Sequence, residues 1–255
     1  MRKTLGFASV LLVALAASSA ARAAELNLFT AGAMQEAEKE LAAEFARETG
    51  NTVKFTVGTV GQIQAKLKEG APVDIIVVST PALQQLEMSG DVKALSGIAL
   101  GRIGIGVGAK DGAPVPDIST SAKFRDAMLK AKAVTYMDPA VGASSGIATA
   151  KIMKDLGIDE EMAKKTKLAQ AGYSADKVAS GEAQYAIQNM SEIVPVKGVR
   201  LVGPLPADLQ VFTPYSAGIA SKSANPNEAA DFVRFMRRES ADRVWTGAGI
   251  EPAGR

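Results

Sequence analysis

The chain has 255 residues, with 29 Lys and Arg against 27 Asp and Glu, and neither histidine nor cysteine. That composition excludes zinc centres built on His or Cys, Ser-His-Asp triads, histidine proton shuttles, disulfide staples and a cysteine-linked lipid anchor. Arg2, Lys3 and Arg22 all fall in the first 23 residues; the remainder carries 26 basic and 27 acidic groups, with no basic excess to suit nucleic acid or an anionic membrane.

In chain order, the first element is a leader. Arg2 and Lys3 precede an uncharged apolar run over 5–17, and Ala21-Arg22-Ala23 has the small-x-small pattern of a signal peptidase site. The run is short of the roughly 20 residues that span a bilayer. Cleavage is expected before Ala24, delivering the mature chain to the periplasm.

Strands and helices then alternate. Strands are predicted over 26–29, 52–57, 74–78 and 103–107, and again over 133–137, 185–188, 200–202 and 217–220. Helices are predicted over 34–48 (ended by Gly50), 62–69, from Pro81 onward, over 146–156 (ended by Gly157) and over 227–239, with a short one reaching Trp245. Ser174 is expected to cap a further short helix that runs to 180. The alternation indicates an α/β fold in two lobes, each an open, mostly parallel sheet flanked by helices. The expected division is 24–100 plus 205–255 for the first lobe and 101–204 for the second.

In open α/β sheets ligands bind beyond the carboxyl ends of strands. Four such ends are small or hydroxylic: Thr30-Ala31-Gly32-Ala33, Gly58-Thr59-Val60-Gly61, Ser79-Thr80 and Gly142-Ala143-Ser144-Ser145-Gly146. Each segment alone reads as an ordinary cap or turn. Together they suit an anion held by backbone N–H groups, helix N-termini and hydroxyls rather than by Lys or Arg. The ligand-binding candidates are Thr30, Gly32, Ala33, Met34, Thr59, Gly61, Ser79, Thr80, Ser144, Ser145, Tyr173 and Asn189. Glu36, Tyr173 and Glu192 are candidates for a base, although Glu192 reads first as a solvated or hinge carboxylate. Trp245 reads as packing. No metal site or cofactor is expected.

The run Leu28-Phe29-Thr30-Ala31-Gly32-Ala33-Met34, the segment Glu69-Gly70-Ala71-Pro72-Val73-Asp74 leading into a strand, and Asp138-Pro139 opening the Gly/Ser loop resemble periplasmic molybdate-binding proteins. The resemblance implies the type II binding-protein fold, a cleft that closes on a small anion, and delivery of that anion by a monomer to an ABC permease. The departures point elsewhere. Ala33 stands where that family places a serine, Val60 lies between Thr59 and Gly61 where another is usual, and Asn189 stands where a tyrosine is common. A buried anion loses about 1–3 kcal/mol for each donor left unmade, which argues against molybdate as the best ligand and leaves binding of molybdate or tungstate as a further alternative. The segments 191–198 and 202–206 are similar to a branch that includes periplasmic aconitate isomerases. That likeness implies a polycarboxylate ligand, bound reversibly or isomerised by allylic proton transfer.

Overall fold

The computed structural model describes residues 23–254, so the expected leader lies outside the described residues. Strand β1 (Glu25–Ala31) runs into helix α1 (Gln35–Thr49), which Gly50 ends in the left-handed region at φ 80°. Next come β2 (Thr52–Gly58) and α2 (Val60–Lys68), then β3 (Ile75–Ser79) and α3 (Thr80–Ser89). The long β4 (Ile98–Lys110) is followed by α4 (Ser121–Lys130), a two-residue β5 (Val134–Thr135), α5 (Ser144–Asp155) and α6 (Asp159–Ala163). Short α7 (Asp176–Ala179) precedes β6 (Tyr185–Asn189) and α8 (Met190–Ile193). The chain finishes with β7 (Val199–Pro204), β8 (Phe212–Ile219), α9 (Pro226–Met236), α10 (Asp242–Gly247) and β9 (Glu251–Pro252).

The α/β, two-lobed arrangement is as expected, but the sheet is mixed. Its strand order is β2-β1-β3-β8-β4-β6-β5. Strands separated by helical crossovers pair in parallel: β1 with β2 and β3, and β5 with β6. The antiparallel pairs all involve β4 or β8. Strand β4 pairs with β8 up to Gly104↔Phe212, then with β6 from Ile105↔Asn189 onward. One strand thus joins the β1–β3 half of the sheet to the β5–β7 half.

Only residues 103–107 of β4 are predicted from the sequence, because glycines interrupt its apolar pattern. Those glycines make room for close neighbours. A Cβ on Gly101 would sit 2.6 Å from the Glu251 carbonyl oxygen, and one on Gly106 would sit 2.8 Å from Met190 Cγ. Helices α4, α6 and α8 and strand β9 are further elements absent from the sequence reading. The Ser174 hydroxyl donates to Gln188 Oε1 at 2.7 Å rather than capping α7, whose N-cap is Ala175.

One apolar core lies under α1, α9 and α10. It holds Leu28, Leu41, Phe45, Phe232 and Trp245, and the indole N–H of Trp245 donates to the Met236 carbonyl at 2.9 Å. Trp245 is therefore packing, as expected. A second core, with Ile105, Phe124, Met153 and Ile187, lies on the other half. The first core contains one ionisable group out of place. Glu38 is fully buried on α1, and neither carboxyl oxygen has a hydrogen-bond partner. Burial pushes its pKa up to about 8. The nearby Thr30 hydroxyl softens that rise only partly, since it is turned to the Ala31 carbonyl at 3.3 Å.

This arrangement favours the neutral acid in the folded state. Its contribution to stability is full below the unfolded pKa of 4.5 and is lost as pH rises toward about 8. Melting temperature should therefore fall between pH 5 and pH 8, corresponding to a few kcal/mol at about 1.4 kcal/mol per pKa unit. Glu38→Gln should remove the larger share of that fall in a calorimetric pH series, the rest belonging to Glu192, whose buried carboxyl is raised to about 7. An unchanged slope in the variant would show that Glu38 is ionised in the folded protein.

Candidate functional site

A cavity of about 280 Å³ lies at the carboxyl ends of β1, β2 and β6, between the two halves of the sheet. Three helices of substantial length begin at its wall. Ala33 and Gln35 come from the start of α1, Thr59, Val60 and Gln62 from the start of α2, and Ala143, Ser144 and Ser145 from the start of α5. The first N–H groups of a helix have no partner within it, so these ends can present donors and partial positive charge, apart from Gln35 N and Gln62 N, which pair with the Gly32 carbonyl and Thr59 Oγ1. Local sequence explains the starts. Thr59 and Gln62 form a capping box on α2, each side chain accepting from the other's backbone N–H. Asp138 accepts from Ala140 N at 2.9 Å and begins the turn that leads into α5.

Of the predicted ligand residues, Gly32, Ala33, Thr59, Ser144, Ser145, Tyr173 and Asn189 line this cavity, and so does Glu192. The others do not. Thr30 and Met34 are fully buried, with Met34 in the first core, because the chain has already turned inward before α1 starts. Thr80 instead pairs its hydroxyl with Ser216 Oγ at 2.8 Å, and neither it nor Ser79 reaches the cavity. Gly61 abuts the opposite half: a Cβ there would lie 3.0 Å from the Val141 carbonyl oxygen and 3.2 Å from Gly142 Cα. Glu36 stands behind Tyr173, whose hydroxyl donates to it at 3.3 Å, and pairs with Lys39 at 2.9 Å.

The cleft is closed. Thr59 Oγ1 donates to the Val141 carbonyl, Gln35 Nε2 donates to the Tyr173 hydroxyl, and Ser191 Oγ donates to the Ala33 carbonyl at 2.7 Å. Tyr215, at the register shift of β4 against β8, places its hydroxyl 3.0 Å from Ser144 Oγ. The sequence reading missed Tyr215 because it lies inside a predicted loop ahead of 217–220. Its signal is a polar Tyr215-Ser216 pair beside an apolar strand.

Glu192 corrects the sequence reading most. It is 8% exposed rather than solvated, and its Oε2 accepts from Asn189 Nδ2 at 2.8 Å. Burial pushes its pKa up to about 7, against the lowering effect of the Asn189 hydrogen bond and of the nearby Gln188 amide, whose nitrogen has no hydrogen-bond partner. Burial also raises Tyr215 and Tyr173 well above the usual phenol value, so both hydroxyls stay neutral donors. No Lys or Arg lies among the described residues of the wall. Such a site can hold an anion through N–H and O–H dipoles and can exchange a proton at Glu192.

Residues 26–251 match the family of bacterial extracellular solute-binding proteins. The chain belongs to that family. Among relatives of this solute-binding protein, an aconitate isomerase from a Pseudomonas species is 28% identical over 98% of this chain and 96% of its own. A molybdate-binding protein from Azotobacter vinelandii is 28% identical over 92% of this chain and 94% of its own. The solved Azotobacter vinelandii periplasmic molybdate-binding protein superposes with a TM-score of 0.75 at 20% identity, covering 90% of this chain and all of that one. A sulfate-binding protein from Mycobacterium tuberculosis gives 0.70 at 17% identity, covering 90% of this chain and 87% of that one. These structures share the two-lobed type II fold.

A closed cleft makes the Ser144–Tyr215 bond a link between the two halves. A double-mutant cycle of Ser144→Ala and Tyr215→Phe should show about 0.5–1.5 kcal/mol of coupling in urea unfolding. Zero coupling would mean that the cleft stands open in solution.

Proposed function

We propose that this protein closes on a small organic anion with more than one carboxylate, of the aconitate or citrate type, in the periplasm. It then hands that ligand, as a monomer, to an ABC permease. The observation that carries the reading is a cation-free cavity walled by three helix starts, two tyrosine hydroxyls and the protonatable carboxyl of Glu192. The lobes taken as 24–100 plus 205–255 and 101–204 are the moving bodies. The switch of β4 between pairing partners at Gly104 and Ile105 supports that division.

Molybdate fits this wall less well. Tyr215 does return a tyrosine hydroxyl to the site from another strand, so fewer donors are missing than Ala33 and Asn189 imply. The stronger objection is Glu192. A compact dianion would bring its whole charge against this carboxyl, which is itself charged unless it takes up a proton. A larger polycarboxylate can set neutral donors against its charged ends and still leave a carbon beside Glu192.

That last feature favours a second reading, isomerisation, together with the likeness to an aconitate isomerase along nearly the whole chain. In the fraction of complexes in which Glu192 is ionised, its carboxylate would take a proton from the methylene carbon of cis-aconitate. The freed C–H pair would become the new C=C bond. The pair of the old double bond would then take a proton at the far carbon from the protonated Glu192, directly or after exchange with solvent, leaving trans-aconitate and the carboxylate restored. A base with pKa near 7 is matched to this work at neutral pH.

In heavy water, cis-aconitate or citrate at about a hundred times its Kd should raise the melting temperature by roughly 5–10 °C. Molybdate should raise it far less. Proton NMR of the same cis-aconitate sample reads the second reaction: trans-aconitate or methylene deuterium appears only if Glu192 turns the ligand over, and Glu192→Gln should abolish both. Sub-micromolar molybdate binding without response to either carboxylate would overturn the proposal.

A further inference from the structure

Glu192 is the one carboxyl group among the described residues of the cavity wall, and no cation there offsets it. Its position is fixed: Oε2 is held by Asn189, and Oε1 faces Gly32 closely enough that a Cβ there would lie 3.2 Å away. The groups that face it are neutral or negative. Strand β6 contributes the amides of Asn189 and Gln188, β8 the Tyr215 hydroxyl, the 171–174 loop Tyr173, and the β1–α1 loop only Gly32. Glu36, behind Tyr173, is also acidic. An anion bound here would share the cavity with a second negative charge unless Glu192 were protonated. Like charges in one enclosed site do not both stay ionised.

We propose that the cleft takes up one proton with each anion it closes on, and that Glu192 carries it. This rests on the anion-binding reading of the cleft. The protonated carboxyl changes from a repelling group into a donor. It gives a cation-free site a charge-assisted O–H···O⁻ bond, stronger than those from neutral donors to neutral acceptors. The ligand class that uses it is one with a carboxylate oxygen free to accept. Affinity then depends on pH with a definite sign. It is constant where free Glu192 is already protonated, and weakens about tenfold per pH unit above that range until the complex itself loses the proton.

Titration calorimetry at pH 8 in two buffers of different ionisation enthalpy counts the proton directly. The probes are cis-aconitate, citrate, sulfate and molybdate. For each probe that binds, the unaltered protein should take up close to one proton per anion, and Glu192→Gln should bind with no uptake and a flat pH dependence. Uptake that persists in Glu192→Gln would place the proton on another group and overturn the assignment. Binding by the unaltered protein without uptake would overturn the proposal while leaving the anion cleft standing, and this result needs no variant to fold. No heat and no thermal shift with any of the four probes would overturn the anion reading, and the proposal with it.

Discussion

On the proposed reading, an anion held without a cation must be stabilised by dipoles already aimed at it, and that constraint accounts for how the cleft is built. Dipoles can be aimed only if the helix starts that supply them are fixed. The capping box of Thr59 and Gln62 fixes α2, and the Asp138 turn leads the chain into α5. Helix α1 starts without a side-chain cap; its approach is set instead by Met34 N donating to the Ala31 carbonyl at 3.0 Å and by Met34 buried in the first core. Loop donors, caps and core packing therefore converge on one cavity.

Bringing helix starts from two halves together requires strands that pass between them. Strand β4 does this by exchanging β8 for β6 within one residue step. The backbone of Ile105 at that step is held by the Gln210 side chain, which accepts from its N–H at 2.8 Å and donates to its carbonyl at 2.9 Å. That amide keeps the peptide satisfied where the sheet changes partners. Directly across from Ile105 is Asn189, which in turn holds Glu192. The crossing and the protonatable carboxyl are neighbours in the same piece of structure.

Much of this was legible in the sequence, for reasons specific to particular residues. Gly50 as a helix stop, Pro81 at a helix start and the small-residue loops before α1, α2 and α5 are local signals, and local geometry obeys them. The extent of β4 was not legible, because its glycines are there for the close approach of β9 and β7, a tertiary requirement. The burial of Glu192 was hidden for the same kind of reason. A glutamate after a strand looks solvated until the opposing loop at Gly32 closes over it. Tyr215 joins the cavity from a strand that the sequence places far from every candidate loop.

The central claim is that burial in the cleft holds Glu192 as an acid near neutral pH. The most direct measurement is the carbon-13 chemical shift of the Glu192 carboxyl in ligand-free protein, followed from pH 4 to pH 9 and assigned with Glu192→Gln. A midpoint near 7 is predicted. A midpoint at the ordinary glutamate value, near 4.5, would show a solvated carboxylate and contradict the account.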